Sequence, residues 1–300
     1  MTFPVSGVET PIWVPPLAAL AVSFFCSMGG ISGAVLLLPF QMSVLGFTSP
    51  AVSPTNLVFN LIAIPSGIYR YAREGRMIRS LTWVVVGGTV PGVVAGQLVR
   101  LEWLPDPRPF KAFVGCVLLY IGVRMMWEIR RPGNRPSRKG DASCWTVKCL
   151  ECGIRRLVFE FQGNRYECPT RAVFLLSLVV GLVGGIYGIG GGAIIAPFLV
   201  AHLGMPVHTV AGPALMGTFI TSVAGVAFSH LVAPYYRHKG TAFAPDWRLG
   251  SLFGVGGMLG VYLGARTQRF IPAKWLKAML AAILTGIALS YMWGYLASLR

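Results

Sequence analysis

The sequence predicts an all-α polytopic membrane protein made of two four-segment internal repeats. Each repeat opens with a glycine-broken helix, and a small cysteine-containing linker module joins them. Three observations predict this class. Apolar runs cover residues 12–46, 51–69, 81–99, 110–127, 172–205, 207–233, 249–265 and 275–297, most of them near the roughly 20 residues a helix needs to cross a bilayer. Only 12% of the 300 residues are charged, against about 25% in soluble domains, and all ten acidic residues lie outside those runs. Finally, the chain aligns with itself at an offset of 158, where "GGISGAVLLLPFQMSVLGF" (29–47) falls on "YGIGGGAIIAPFLVAHLGM" (187–205).

The first repeat occupies residues 1–127. Met1 to Pro11 has no basic residue and no small-residue cleavage site follows, so no cleavable signal peptide is expected. Segment 12–46 is too long for one crossing, because thirty-five helical residues would span about 50 Å against a core of about 30 Å. Gly29, Gly30 and Gly33 stand in its middle and predict two half-helices joined by irregular backbone. Such backbone is tolerated at membrane depth only when buried in protein or lining a polar cavity. Segment 51–69 follows the turn "SPAVSPTN" and carries Ser53, Thr55, Asn56 and Asn60. Segments 81–99 and 110–127 complete the repeat.

Residues 128–171 form the linker, with ten of the Lys/Arg residues between Arg130 and Arg171. The second repeat, 172–300, runs through a broken segment at 172–205, a second at 207–233 with Thr218, Thr221 and Ser222, and two more. Beyond Gly67 and Gly225 the register drifts, so that Gly92 and Gly96 match Gly260 and Gly264 at an offset of 168. These later pairs predict close helix packing through small residues. Whether each broken segment turns back as a hairpin (inverted repeats) or crosses twice (parallel repeats) is left open by the Lys/Arg distribution. Hairpins are preferred, since neither half-segment spans comfortably alone.

The formal charge of +16 concentrates at segment boundaries. Lys/Arg there orient helices and meet anionic headgroups, and no aromatic-interleaved basic motif suggests nucleic acid. The stretch "GIYGIGGGAIIAPF" (185–198) contains G-x-G-x-x-A, the phosphate-cradling pattern of dinucleotide-binding folds. No strand is predicted before it and no acidic ribose partner follows about 20 residues on, so that reading fails.

The paired "GGISGAVLLLPF" and "GIGGGAIIAPF" motifs, each followed by a polar-and-proline turn, resemble the TauE/SafE family of sulfite exporters and related sulfur-anion permeases. The resemblance covers nearly the whole chain except 128–171. It implies a multi-pass transporter of the cell inner (plasma) membrane that exports sulfite or a related organosulfonate or sulfur oxyanion. Internal repeats place such a site where two halves meet.

The residues themselves suit an anion. Helix N-termini present unpaired N–H groups and a positive dipole end, and glycine admits close approach. The expected substrate-binding set is Ser32, Gly33, Asn56 and Asn60 with Gly190, Gly191, Gly192 and Thr218. No Asp or Glu lies inside an apolar segment, where proton- and sodium-coupled carriers commonly place one. Export is therefore expected to run downhill, helped by about 2.3 kcal/mol per charge per 100 mV of inside-negative potential. No cofactor is expected for transport. The expected partners are a small sulfur-containing anion and the bilayer, with a homo-oligomer open.

In the linker, Cys144, Cys149, Cys152 and Cys168 offer four thiolates for a structural zinc, although true ribbons pair two C-x₂-C elements. Free or redox-active thiols are the alternative. "RRLVFEFQGNRYE" alternates around Gly163-Asn164 and predicts a β-hairpin. Three other functions fit some residues. An anion channel could share the architecture. An intramembrane serine protease could use Ser32 of "GISG", with His230 its one distant base, but a serine without a placed base is no catalytic pair. A membrane scaffold would leave the two broken segments unexplained.

Overall fold

Apolar runs without internal charge form helices here because only helices satisfy every backbone group in lipid. The computed structural model describes residues 2–29, 31–73, 77–130, 148–152, 156–161, 164–203, 207–238, 241–267 and 273–298. Its helices are α1 (Val14–Gly29), α2 (Ala34–Ser43), α3 (Val52–Ala63), α4 (Pro65–Arg73), α5 (Arg79–Glu102), α6 (Pro107–Arg130), α7 (Thr170–Tyr187), α8 (Gly192–Leu203), α9 (Val207–His238), α10 (Trp247–Thr267) and α11 (Ala273–Ala297). Among the described residues five spans are long and apolar enough to cross a membrane: Arg79–Glu102, Pro107–Trp127, Thr170–Tyr187, Val210–Tyr236 and Lys274–Ala297.

Both long segments break where the glycines cluster. α7 ends on Gly188, whose φ of 88° is left-handed and whose amide bonds back to the Gly184 carbonyl at 2.8 Å. That is a glycine helix stop. Gly190 is also left-handed at φ 77°, and α8 starts two residues later. In the first half, α2 starts after Gly33, which keeps helical angles of −57° and −29°. One expectation changes: the 51–69 run is not a single helix. It breaks at Ile64 because Pro65, which opens α4, disfavours helical backbone in the residue before it. Val223 stands at the matching position of the second half, and α9 runs through it unbroken.

The chain divides into two compact units. The first holds Met1–Ala63, Arg100–Pro136 and Ser229–Arg300; the second holds Ile64–Val99 and Ser137–Phe228. Each unit therefore mixes the two sequence halves. In the first unit α1 packs on α10, and a methyl group on Gly256, Gly260 or Gly264 would strike the Pro16, Leu20 or Phe24 carbonyl respectively. In the second unit α5 packs on α7, and methyls on Gly88, Gly92 or Gly96 would strike the Phe174, Leu178 or Leu182 carbonyl. The carbonyls match at an offset of 158 and the glycines at 168. Each broken helix thus takes its glycine-striped partner from the other half of the sequence.

Within the first unit, α10 begins where Asp246 caps it. Asp246 Oδ1 accepts the Leu249 amide at 3.1 Å, and Oδ2 accepts the Ser6 amide and hydroxyl at 3.1 and 2.8 Å. The Asp246 amide in turn donates to Thr55 Oγ1 at 2.9 Å. A carboxylate at a helix start satisfies orphan amides and complements the dipole. Asp246 is 1% exposed, and these bonds give it a structural duty.

The linker contributes a three-stranded antiparallel sheet in the order β1 (Lys148–Cys152), β2 (Arg156–Phe161), β3 (Asn164–Pro169). β2 and β3 pair from Arg156↔Pro169 to Phe161↔Asn164. The "CLEC" element is an extended strand with a register shift between Cys149 and Glu151. Cys152 and Cys168 pair with Leu157 from opposite sides. Cys144 lies outside the described residues.

Candidate functional site

Each helix break folds the chain back on itself. Ten residues of continuous helix would separate Ser23 from Gly33, or Gly181 from Gly191, by about 15 Å. Instead, a methyl on Gly33 would lie 3.2 Å from the Ser23 Cα, and one on Gly191 would lie 3.1 Å from the Gly181 Cα. The second half-helix of each pair therefore starts alongside the first rather than beyond it.

In the first unit the break is closed by side chains. Ser32 Oγ accepts the Ala34 amide at 3.3 Å. Asn56, on α3, donates from Nδ2 to the Ala34 carbonyl at 3.0 Å and accepts Gln41 Nε2 on Oδ1 at 3.2 Å. Asn56 and Asn60 are fully buried. The expected set Ser32, Gly33 and Asn56 is thus gathered at the start of α2, with Asn60 one turn further along α3.

In the second unit the break is closed by backbone. Gly192 lets α8 touch α9 directly, since a methyl there would collide with the Ala214 carbonyl and lie 2.6 Å from both the Thr218 amide nitrogen and Oγ1. A methyl on Gly190 would lie 2.9 Å from Thr218 Cγ2. Gly190, Gly191, Gly192 and Thr218 are therefore gathered as expected. Ala214 matches Asn56 at the 158 offset, so an asparagine bridge in one unit replaces a direct backbone contact in the other.

Two details modify the picture of open amides. The Gly191 amide donates to Thr221 Oγ1 at 3.2 Å, so it is already spent inside the protein. Thr218 Oγ1 and Ser222 Oγ donate to the Ala214 and Thr218 carbonyls at 2.9 and 2.7 Å. These hydroxyl protons serve α9, which leaves their oxygen lone pairs turned outward from that bond.

Other polar groups at these depths were not anticipated. Ser23 Oγ and Gln41 Oε1 are buried with no hydrogen-bond partner among the described residues, and Ser23 Oγ points at Gly33. Thr89 packs over Gly191 in the second unit. A hydroxyl residue thus covers the equivalent glycine of both breaks, from the broken helix in one unit and from its partner helix in the other. Arg100 is fully buried, none of its three guanidinium nitrogens has a hydrogen-bond partner among the described residues, and its Cζ sits 3.7 Å from the Phe110 ring centre. Gln97, also on α5, is fully buried with both amide atoms unpartnered. Periodicity gave no hint of these, because single polar residues inside apolar runs look alike whether or not they are satisfied.

The protease constellation does not assemble. His230 Nε2 accepts Trp247 Nε1–H at 2.7 Å with the two rings stacked 5.8 Å apart, while Ser32 Oγ caps α2.

Comparison with known proteins adds an independent line. A family model described as "Sulfite exporter TauE/SafE" matches residues 16–291. The chain is similar to the probable membrane transporter protein y4hK of Sinorhizobium fredii, 23% identical over 96% of this chain and 98% of that protein. It is also similar to the probable membrane transporter protein YunE of Bacillus subtilis, 22% identical over 86% and 89%. A probable membrane transporter protein of Xylella fastidiosa is 25% identical over 93% and 94%. No solved structure matches.

Proposed function

The chain belongs to the TauE/SafE sulfite exporter family and is a multi-pass membrane transporter; from that premise we propose that it exports sulfite, or a closely related sulfur oxyanion or small organosulfonate, across the cell inner membrane. The observation that carries this reading is the pair of chain reversals at residues 31–33 and 188–191, the first lined by hydroxyl and amide side chains and the second by hydroxyls, in otherwise apolar segments. We read them as re-entrant half-helices of two inverted repeats. The matched glycine–carbonyl seams support that symmetry, because two halves of independent origin would not repeat three contacts at fixed offsets.

The chemistry needs three things from the chain. Half-helices α2 and α8 supply N-terminal dipoles at the breaks. Ser23, Ser32 and Asn60 supply neutral polar contacts, while Thr218 and Ser222 spend their protons on α9, and the glycines allow backbone to approach the anion. No carboxylate lies inside the apolar segments, where a coupling cation is commonly bound, and the buried Asp246 is committed to Ser6 and Leu249. The driving force is then the anion gradient plus the membrane potential.

Counterflow of radiolabelled sulfite in proteoliposomes tests the reading. Liposomes preloaded with unlabelled sulfite should take up label transiently, and Ser32→Ala or Asn60→Leu should reduce the initial rate at least tenfold. Label uptake no faster than in protein-free liposomes would overturn the reading.

A further inference from the structure

The first unit carries a second polar feature, at the end of α2 remote from the Gly33 break. Ser43 on α2, Arg108 and Lys111 on α6, and Ser290, Tyr291 and Tyr295 on α11 line a cavity of about 390 Å³. That is within the range of small-molecule sites, about 300–1,000 Å³, and larger than a bare oxyanion needs. The ten residues of α2 place it roughly 15 Å from the break, so it is a separate site.

Its charge is one-sided. Arg108 and Lys111 stand three residues apart in the first turn of α6 and so share a face. The helix start adds a positive dipole end at the same place. No Asp or Glu is among the lining residues, and neither cation has an ion pair among the described residues. Lys111 Nζ lies over the Tyr291 ring, 5.8 Å from its centroid, a contact at the outer limit of cation–π attraction.

The hydroxyls divide into wall and donors. Tyr291 donates its proton to the Pro39 carbonyl at 3.3 Å, and Ser43 Oγ lies 2.6 Å from the Tyr291 oxygen. These two side chains fasten the end of α2 to α11. Ser290 and Tyr295 face the same cavity with the two cations. Guanidinium and ammonium groups bind oxyanions through short charge-assisted bonds, the planar fork of arginine in pairs.

We propose that this cavity is an oxyanion-binding site, in which Arg108 and Lys111 hold an anionic sulfur–oxygen or phosphate group and Ser290 and Tyr295 donate to its remaining oxygens. The cavity lies where α6 begins and α11 ends, at a boundary of two membrane-spanning helices. The group can therefore come from a free anion or from the phosphate of an acidic lipid. Both sources present the same chemistry.

The test uses purified full-length protein and the double variant Arg108→Gln/Lys111→Gln, with Lys111→Met as a milder change that keeps the alkyl stem against Tyr291. Calorimetric titration with sodium sulfate and with sodium phosphate in neutral detergent reads the free-anion arm. Native mass spectrometry after exchange into phosphatidylglycerol-containing nanodiscs reads the lipid arm. Tightening at low salt is expected in either arm, with a loss of at least tenfold in the double variant and a smaller loss in Lys111→Met. Loss in titration assigns a free anion, and loss of retained phosphatidylglycerol alone assigns a headgroup. Sulfite counterflow at the wild-type rate in the double variant separates this site from the transport site. Binding that is equal in wild type and both variants, or absent from both arms, would overturn the proposal.

Discussion

Replacing Gly46, Gly190 and Gly33 by alanine, one at a time, separates backbone strain from steric contact at the helix breaks. Gly46 has φ 68° and open space around it, so Gly46→Ala carries strain alone, about 1–2 kcal/mol. Gly190 has φ 77°, and its added methyl would lie 2.9 Å from Thr218 Cγ2 and 3.2 Å from the Thr218 carbonyl. Overpacking of that kind adds about 1–3 kcal/mol, for a total of about 2–5 kcal/mol. Gly33 has ordinary helical angles, and its methyl would meet Ser23 Oγ at 2.5 Å. That hydroxyl can turn, and alanine recovers about 0.4–1 kcal/mol through the unfolded chain. The expected order of unfolding midpoints in detergent is therefore Gly33→Ala highest, Gly46→Ala next and Gly190→Ala lowest. If Gly190→Ala unfolds no earlier than Gly46→Ala, α8 and α9 do not pack as described.

Three further outcomes follow from individual side chains. Asn56→Ala strands the Ala34 carbonyl and Gln41 Nε2, and should cost about 1–3 kcal/mol for each buried group left unpaired; a midpoint equal to wild type would show that the Gln41–Asn56–Ala34 chain is not formed. Arg100→Met removes a buried, unpartnered charge while keeping a side chain over Phe110, so the melting temperature should hold or rise. A fall of more than about 5 °C, near 2 kcal/mol for a protein of this size, would mean the guanidinium is partnered. The linker should hold one zinc per chain if its four thiolates form a site, with Cys168→Ser abolishing it; less than about half a zinc per chain by metal analysis removes that site.

Much of the architecture was legible in the residues. The helix breaks were, because two runs of about 35 apolar residues cannot each be one crossing and glycine marks where they yield. So was the hairpin of Arg156–Phe161 and Asn164–Pro169, through its alternation around a Gly-Asn turn. The role of Gly92, Gly96, Gly260 and Gly264 in close packing was also visible. What escaped was their partners: that α10 seats on α1 and α5 on α7 is a long-range choice, and spacing along one helix carries no information about which neighbour it meets. The break at Ile64 was masked by hydropathy, which does not register that Pro65 lacks an amide.

The candidate site was legible as composition and less so as bonding. Asn56 and Thr218 were found because polar residues are conspicuous in apolar runs. That Asn56 is tied to Ala34 and Gln41, and that the Gly191 amide is held by Thr221, depends on a few tenths of an ångström of backbone placement. Arg100 was passed over as one more arginine at a helix end, where most such residues reach water.

The central claim is a potential-assisted carrier for a sulfur oxyanion, and voltage-clamped sulfite flux in proteoliposomes tests it most directly. With a potassium–valinomycin potential and no pH difference, efflux should saturate with sulfite concentration and rise as the interior is made more negative, while a pH gradient at zero voltage should drive no accumulation. Accumulation under the pH gradient alone, or efflux indifferent to voltage, would contradict the account.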